Sequence, residues 1–247
     1  MSGAEADPYS LRIGDHTIRA SVRGAEGRPL LLVNGLGAPL ETWEPLRDAL
    51  GARRTVAFDA PGTGGSSTPH RPHMIRDLAH IALAVVTDIG IEEFDVVGYS
   101  FGGAVAQELA RLAPDRVSRL VLAATNFGWG SPLGDPLAVW CAATSGASLE
   151  PRPDPLGYWW QLLAISTWSS FPWISRVQQP TLVLVGAHDR VAPVNAGRLL
   201  ARELPNAELV LVDGEHWFLI GDGVHEAAAH ITEFLDEDQL SGTLVCT

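Results

Sequence analysis

Cysteine is nearly absent from this 247-residue chain: Cys141 and Cys246 are the only two, they lack CxxC spacing, and neither a zinc knuckle nor a disulfide framework can be built on them. A reducing compartment is the expected setting. No run of 18 apolar residues occurs, so no membrane-spanning helix is expected, and residues 1–15 lack the basic stretch and apolar region of a secretory leader. The expected location is the cytoplasm. Positive charge is also scarce, with 17 Lys and Arg against 29 Asp and Glu, and the net charge of −12 repels phosphate backbones and anionic membranes. Nucleic acid is therefore not an expected partner. Charged residues of both signs make up only 19% of the chain, and internal repeats and low-complexity tracts are missing.

What remains is a hydrophobic chain. Residues of apolar type make up 46% of it, enough for one large domain, or one domain carrying a small insertion. Six short runs, at 30–33, 55–58, 94–97, 120–123, 181–185 and 209–212, are apolar at nearly every position. That pattern predicts strands buried on both faces, as in a parallel sheet covered by helices. Helical patterns at 42–50, 73–89, 101–112, 194–204 and 224–235 lie between and after them, so the expected fold is α/β with a mostly parallel, doubly wound sheet. Before the first run, Leu11 and Ile13, then Ile18, Ala20 and Val22, alternate with polar residues and predict an antiparallel edge hairpin.

One stretch breaks the rhythm. Residues 126–175 hold six of the eight tryptophans, Trp129, Trp140, Trp159, Trp160, Trp168 and Trp173, but only four charged residues, Asp135, Glu150, Arg152 and Asp154. Its first half is rich in Gly and Pro, and 156–168 suits a helix that is apolar on more than one side. Such a long insertion between strands suits a lid over a ligand crevice at the sheet's C-terminal edge. The expected organisation is a core of 1–125 and 176–240, a short lid (cap) at 126–175, and a disordered tail at 241–247, with fraying from Asp236. Trp129, Trp159 and Trp160 of the lid, with Asn34 and Trp217 of the core, are the expected substrate contacts.

The chemistry centres on Gly98-Tyr99-Ser100-Phe101-Gly102, between a predicted strand and a predicted helix. A serine on so sharp a turn is strained, and the residues two before and two after it must be small. Its hydroxyl would stand above the sheet edge, beside a helix N-terminus that favours developing negative charge. A serine hydroxyl is a weak nucleophile without an imidazole base and a carboxylate to orient that base. Asp189 follows the run at 181–185, and His216 follows the run at 209–212, both on the edge where Ser100 is expected. The Ser, acid, His order is that of a nucleophile-elbow hydrolase. Two preset N–H donors would hold the oxyanion, that of Phe101 and that of Leu36 in Asn34-Gly35-Leu36-Gly37, each worth about 3 to 4 kcal/mol in the transition state.

The competing residues carry less. His188 adjoins Asp189 but should point away from it; His16, His70, His73, His80, His225 and His230 fall in an edge strand, a turn or helices; Asp213 and Asp222 are weaker candidates for the acid. His70 and His73 have no third ligand nearby in sequence, so no metal is expected, and no cofactor. Gly62-Thr63-Gly64-Gly65-Ser66-Ser67 lacks the Gly-Lys-Ser/Thr ending of a P-loop and reads as a structural turn.

Over nearly its whole length the chain resembles the α/β-hydrolase superfamily, and within it the intracellular depolymerases of medium-chain-length poly(3-hydroxyalkanoates). The likeness rests on Asn34-Gly35-Leu36-Gly37, whose opening Asn stands where many relatives have His, on 58–69, on 120–125, on Tyr158-Trp159-Trp160-Gln161-Leu162-Leu163 and on 178–184. It implies an α/β-hydrolase fold with Ser100, Asp189 and His216 as nucleophile, acid and base, and a hydrophobic 3-hydroxyacyl ester as substrate. A polyester granule surface is then a partner. Related polyester synthases use cysteine as nucleophile, so serine favours hydrolysis over chain growth. Because 126–157 is shorter than the lid segment of these depolymerases, a small carboxylic ester or lactone stands as the alternative substrate. A ligand receptor with negligible turnover is the alternative from another class.

Overall fold

The computed structural model describes residues 8–144 and 151–242. Its strands are β1 (Tyr9–Ile13), β2 (His16–Arg23), β3 (Glu26–Val33), β4 (Arg53–Phe58), β5 (Phe94–Tyr99), β6 (Val117–Ala123), β7 (Thr181–Gly186) and β8 (Ala207–Val212). They form one sheet in the order β1-β2-β4-β3-β5-β6-β7-β8. β1 and β2 pair antiparallel, as do β2 and β4, and every later pairing is parallel. The helices are α1 (Glu44–Leu50), α2 (Ile75–Asp88), α3 (Phe101–Leu112), α4 (Pro136–Thr144), α5 (Pro155–Ser166), α6 (Val194–Glu203) and α7 (Val224–Gly242). Each of the six apolar runs lies within one of β3 to β8, and the expected edge hairpin is β1-β2.

Strand side chains alternate between the two faces, which explains why the runs are apolar at every position. Leu31, Val33, Val56 and Val96 pack with Leu78 and Val85 of α2 and Leu109 of α3. Leu30, Leu32, Ala57 and Val97 pack on the other face with Leu46 of α1 and Ile231 and Phe234 of α7. Two cores of opposite parity therefore sandwich one sheet.

Four expectations are corrected or extended. β8 is not buried on both faces: as the last strand of the sheet it has no outer neighbour, and Leu211 is exposed. The final helix does not fray at Asp236 but runs to Gly242, because the acidic and Gln residues after the apolar periodicity are tolerated in a helix; residues 243–247 of the expected tail lie outside the described residues. The Gly- and Pro-rich first half of 126–175 contains a helix, α4, with no buried residue.

The second half forms α5, capped by Asp154, whose carboxylate accepts from the Leu156 and Gly157 N–H groups. Its buried face is small and polar rather than aromatic: Gly157, Gln161 and Ala164 are buried, while Leu156, Trp159 and Leu163 are exposed. The reason is close approach. A Cβ on Gly157 would collide with Gly62 Cα, and the Asp154 N–H donates to Gly62 O at 3.1 Å. The turn at Gly62 is thus the seat of α5, held from below by buried Asp59, whose carboxylate accepts from Leu40 N–H and Gly65 N–H. Among the described residues no helix is long and apolar enough to cross a membrane.

Candidate active site

Ser100 is the single residue between β5 and α3, and it adopts φ 52° and ψ −116°. That backbone is costly for any residue with a Cβ. It persists because the surroundings hold it: Ser100 N–H donates to Ala123 O at 2.8 Å, and Ser100 O accepts from Thr125 Oγ at 2.8 Å and Gly103 N–H at 2.9 Å. The flanking glycines are required by contact. A Cβ on Gly98 would stand 2.5 Å from Ala106 Cβ, and one on Gly102 would strike Val33 O. Gly103, not singled out by the sequence reading, is needed as well, since a Cβ there would meet the Thr125 side chain.

The ends of β7 and β8 bring the other two groups to this turn. Ala187 N–H donates to Val212 O at 2.8 Å and His188 N–H to Gly214 O at 2.9 Å, so the two loops are laced together. Asp189 Oδ1 accepts from the Val191 and Ala192 N–H groups, which leaves Oδ2 facing His216 Nδ1 at 2.8 Å. His216 Nε2 lies 3.0 Å from Ser100 Oγ. Both Asp189 and His216 are buried. Tyr99 O–H donates to His216 O at 3.0 Å and fixes the histidine's backbone; burial pushes that phenol's pKa up, so it stays a donor. A neutral imidazole with Nδ1–H given to a carboxylate presents Nε2 as the acceptor for a hydroxyl proton.

Leu36 and Phe101 both line the cavity above Ser100, and among the described residues the N–H of neither has a backbone acceptor. The cavity has a volume of about 600 Å³, within the range of small-molecule sites. Its walls are largely apolar, with Leu133, Val139, Leu162 and Ile165 among them, and among the described residues no Asp, Glu, Lys or Arg lines it. These aliphatic side chains were missed by sequence reasoning, which weighted tryptophan; the signal was Leu162 and Ile165 spaced three apart on one helix.

Of the five expected substrate contacts, Trp129 and Trp217 line the cavity. The other three do not. Asn34 is buried behind the loop, where its Nδ2 donates to Pro39 O at 2.7 Å; Trp160 gives its Nε1–H to Pro69 O at 3.2 Å; Trp159 faces away from the cavity and is 68% exposed. His188 and Asp213 face each other at 3.5 Å, both well exposed, and Asp222 is exposed. His73 pairs with His16, not His70, at 2.9 Å between Nε2 atoms. A second cavity of about 690 Å³ opens at the opposite, N-terminal edge of the strands between Arg28 and Gln179, and contains no serine–histidine pair.

The family described as alpha/beta hydrolase fold matches residues 28–140 and 142–222. A poly(3-hydroxyalkanoate) depolymerase of Ectopseudomonas oleovorans is 35% identical over 268 residues, spanning 94% of this chain and 94% of its own. A 2-hydroxymuconate semialdehyde hydrolase of Pseudomonas sp. strain CF600 is 29% identical, spanning 91% of this chain and 98% of its own. Among solved structures, the enol-lactonase of Burkholderia xenovorans LB400 superposes with a TM-score of 0.82 at 23% identity, over 92% of this chain and 99% of that one, a likeness of fold.

Proposed function

The chain belongs to the α/β-hydrolase fold family, and from that premise we propose that this hydrolase is a serine ester hydrolase that works through an acyl-enzyme at Ser100. The observation that carries the reading is the unbroken chain from Ser100 Oγ to His216 Nε2 at 3.0 Å and from His216 Nδ1 to Asp189 Oδ2 at 2.8 Å. His216 takes the hydroxyl proton as Ser100 Oγ attacks the ester carbonyl. The Leu36 and Phe101 N–H groups hold the oxyanion. On collapse of the tetrahedral intermediate, His216 returns the proton to the leaving alcohol. Water then enters, gives its proton to His216 and attacks the acyl carbonyl, and Ser100 leaves reprotonated. Asp189 stabilises the imidazolium in both halves.

The substrate class is a hydrophobic 3-hydroxyacyl ester, oligomeric or polymeric. Three observations support it: a largely apolar cavity whose described lining holds no Asp, Glu, Lys or Arg, the 35%-identical polyester depolymerase, and the exposed apolar side chains of the segment over the site. In this reading 126–175 is the lid. Leu133, Leu137, Trp140 and Trp159, each more than half exposed, lie on that segment and form its docking surface for an uncharged polyester granule.

The test is release of 3-hydroxy acids from emulsified medium-chain polyester, measured beside hydrolysis of short p-nitrophenyl esters. Turnover of both is expected. Activity on short esters alone would replace the polymer with a small ester or lactone, and no turnover of either would favour a receptor.

A further inference from the structure

Gln161 is buried on α5, yet neither catalysis nor substrate contact accounts for it. Its carboxamide spans two core loops: Oε1 accepts from the Gly37 N–H at 2.9 Å, and Nε2 donates to Thr63 Oγ at 2.9 Å. Gly37 directly follows Leu36. The Leu36 and Gly37 N–H groups belong to peptide units that share the Leu36 Cα, so anchoring one limits rotation of the other. Tyr158, three residues before Gln161 and on the same helix face, reinforces the grip. Its ring covers Gly37, where a Cβ would stand 2.5 Å from ring carbons, and its O–H donates to Ala143 O of α4. Gly37 itself has φ 65°, a conformation that suits glycine and relies on outside partners to fix it.

We propose that Gln161 is a positioning residue that sets the Leu36 N–H for oxyanion binding, so that the donor pair is complete only when α5 is seated on the core. The inference rests on the serine-hydrolase reading given above. Losing this clamp leaves the Ser100–His216–Asp189 chain intact, because none of its hydrogen bonds involves Gln161, Gly37 or Thr63. The loss falls on the transition state, in which the oxyanion develops, and not on ground-state binding. Misplacing one donor by about an ångström lowers turnover by roughly 10 to 100-fold.

The experiment compares wild type, Gln161→Met and Gln161→Glu on p-nitrophenyl butyrate, with melting temperatures measured alongside. Gln161→Met keeps the side-chain volume and removes both hydrogen bonds; Gln161→Glu keeps an acceptor for Gly37 N–H and can accept from Thr63 O–H. The expected result is a roughly 10 to 100-fold fall in kcat for Gln161→Met with KM within about twofold, matched by an equal loss of affinity for an alkylboronic acid, and recovery of kcat to within a few-fold in Gln161→Glu. Unchanged kcat in Gln161→Met, or equal losses in both variants that follow the melting temperature, would overturn the proposal. If Gln161→Met does not fold, Thr63→Val removes the second anchor alone; it should lower kcat a few-fold at constant KM, and an unaltered kcat there counts against the clamp. Wild-type protein without esterase activity would instead refute the serine-hydrolase reading itself.

Discussion

Replacing Ser100 by Gly and, separately, by Ala isolates the cost of the turn that carries the candidate nucleophile. Both changes remove the hydroxyl and its contact with His216, so that loss cancels in their difference. They differ in the Cβ. At φ 52° and ψ −116° an L-residue is held about 1 to 3 kcal/mol above its relaxed backbone. Gly escapes that strain but loses about 0.5 to 1 kcal/mol more backbone freedom on folding. The net expectation is that Ser100→Gly is more stable than Ser100→Ala by roughly 0.5 to 2 kcal/mol. For a chain of this size that corresponds to roughly 1 to 8 °C in melting temperature. Equilibrium urea unfolding of the two variants, with esterase activity abolished in both, is the assay. Equal stability, or a more stable Ser100→Ala, would show that the strain of the turn does not exceed glycine's entropy cost and refute the reasoning.

Four other outcomes are expected. Asp95 is fully buried, its carboxylate lies 3.6 Å from the Arg28 guanidinium, and burial pushes the pKa up to about 6. Between the ordinary carboxylate range and about 6 the native state binds more protons than the unfolded one, so stability falls as pH rises through that window. Asp95→Asn should raise stability at pH 7 to 8 by on the order of 2 to 3 kcal/mol and flatten the decline, checked by urea midpoints from pH 4 to 8. Gly157→Ala drives a Cβ into Gly62 and should cost about 1 to 3 kcal/mol while lowering kcat through α5, read by unfolding and by kinetics in parallel. Trp129→Ala should raise KM for a soluble long-chain ester by roughly tenfold, because Trp129 lines the cavity. Trp159→Ala should leave that KM unchanged and weaken adsorption to emulsified polyester, because Trp159 faces outward.

Much of the fold was legible because burial on both faces leaves a plain trace. A run such as 30–33 is apolar at every position since Leu30 and Leu32 feed one core while Leu31 and Val33 feed the other. That Ser100, Asp189 and His216 meet was legible because each follows such a run, and the ends of parallel strands share one edge. The wall of the cavity was not. Tryptophan content drew attention to Trp159 and Trp160, but which face of α5 is buried is decided by the Gly62–Gly157 contact, which no periodicity encodes. Asn34 stands beside the oxyanion loop in sequence, yet its amide is spent on Pro39 O. The His16–His73 pair joins residues 57 apart and leaves no local signal. Gln161 has no local signal for its contact either; only the fold brings it to Gly37, 124 residues away.

The central claim is covalent catalysis at Ser100. Intact-protein mass spectrometry after rapid acid quench of the enzyme with a p-nitrophenyl alkanoate, followed by peptide mapping, reads the acyl-enzyme directly. A single added acyl group on Ser100, lost on incubation in water and absent in Ser100→Ala, is the expected result. Undiminished hydrolysis by Ser100→Ala, or an acyl group carried by another residue, would contradict it.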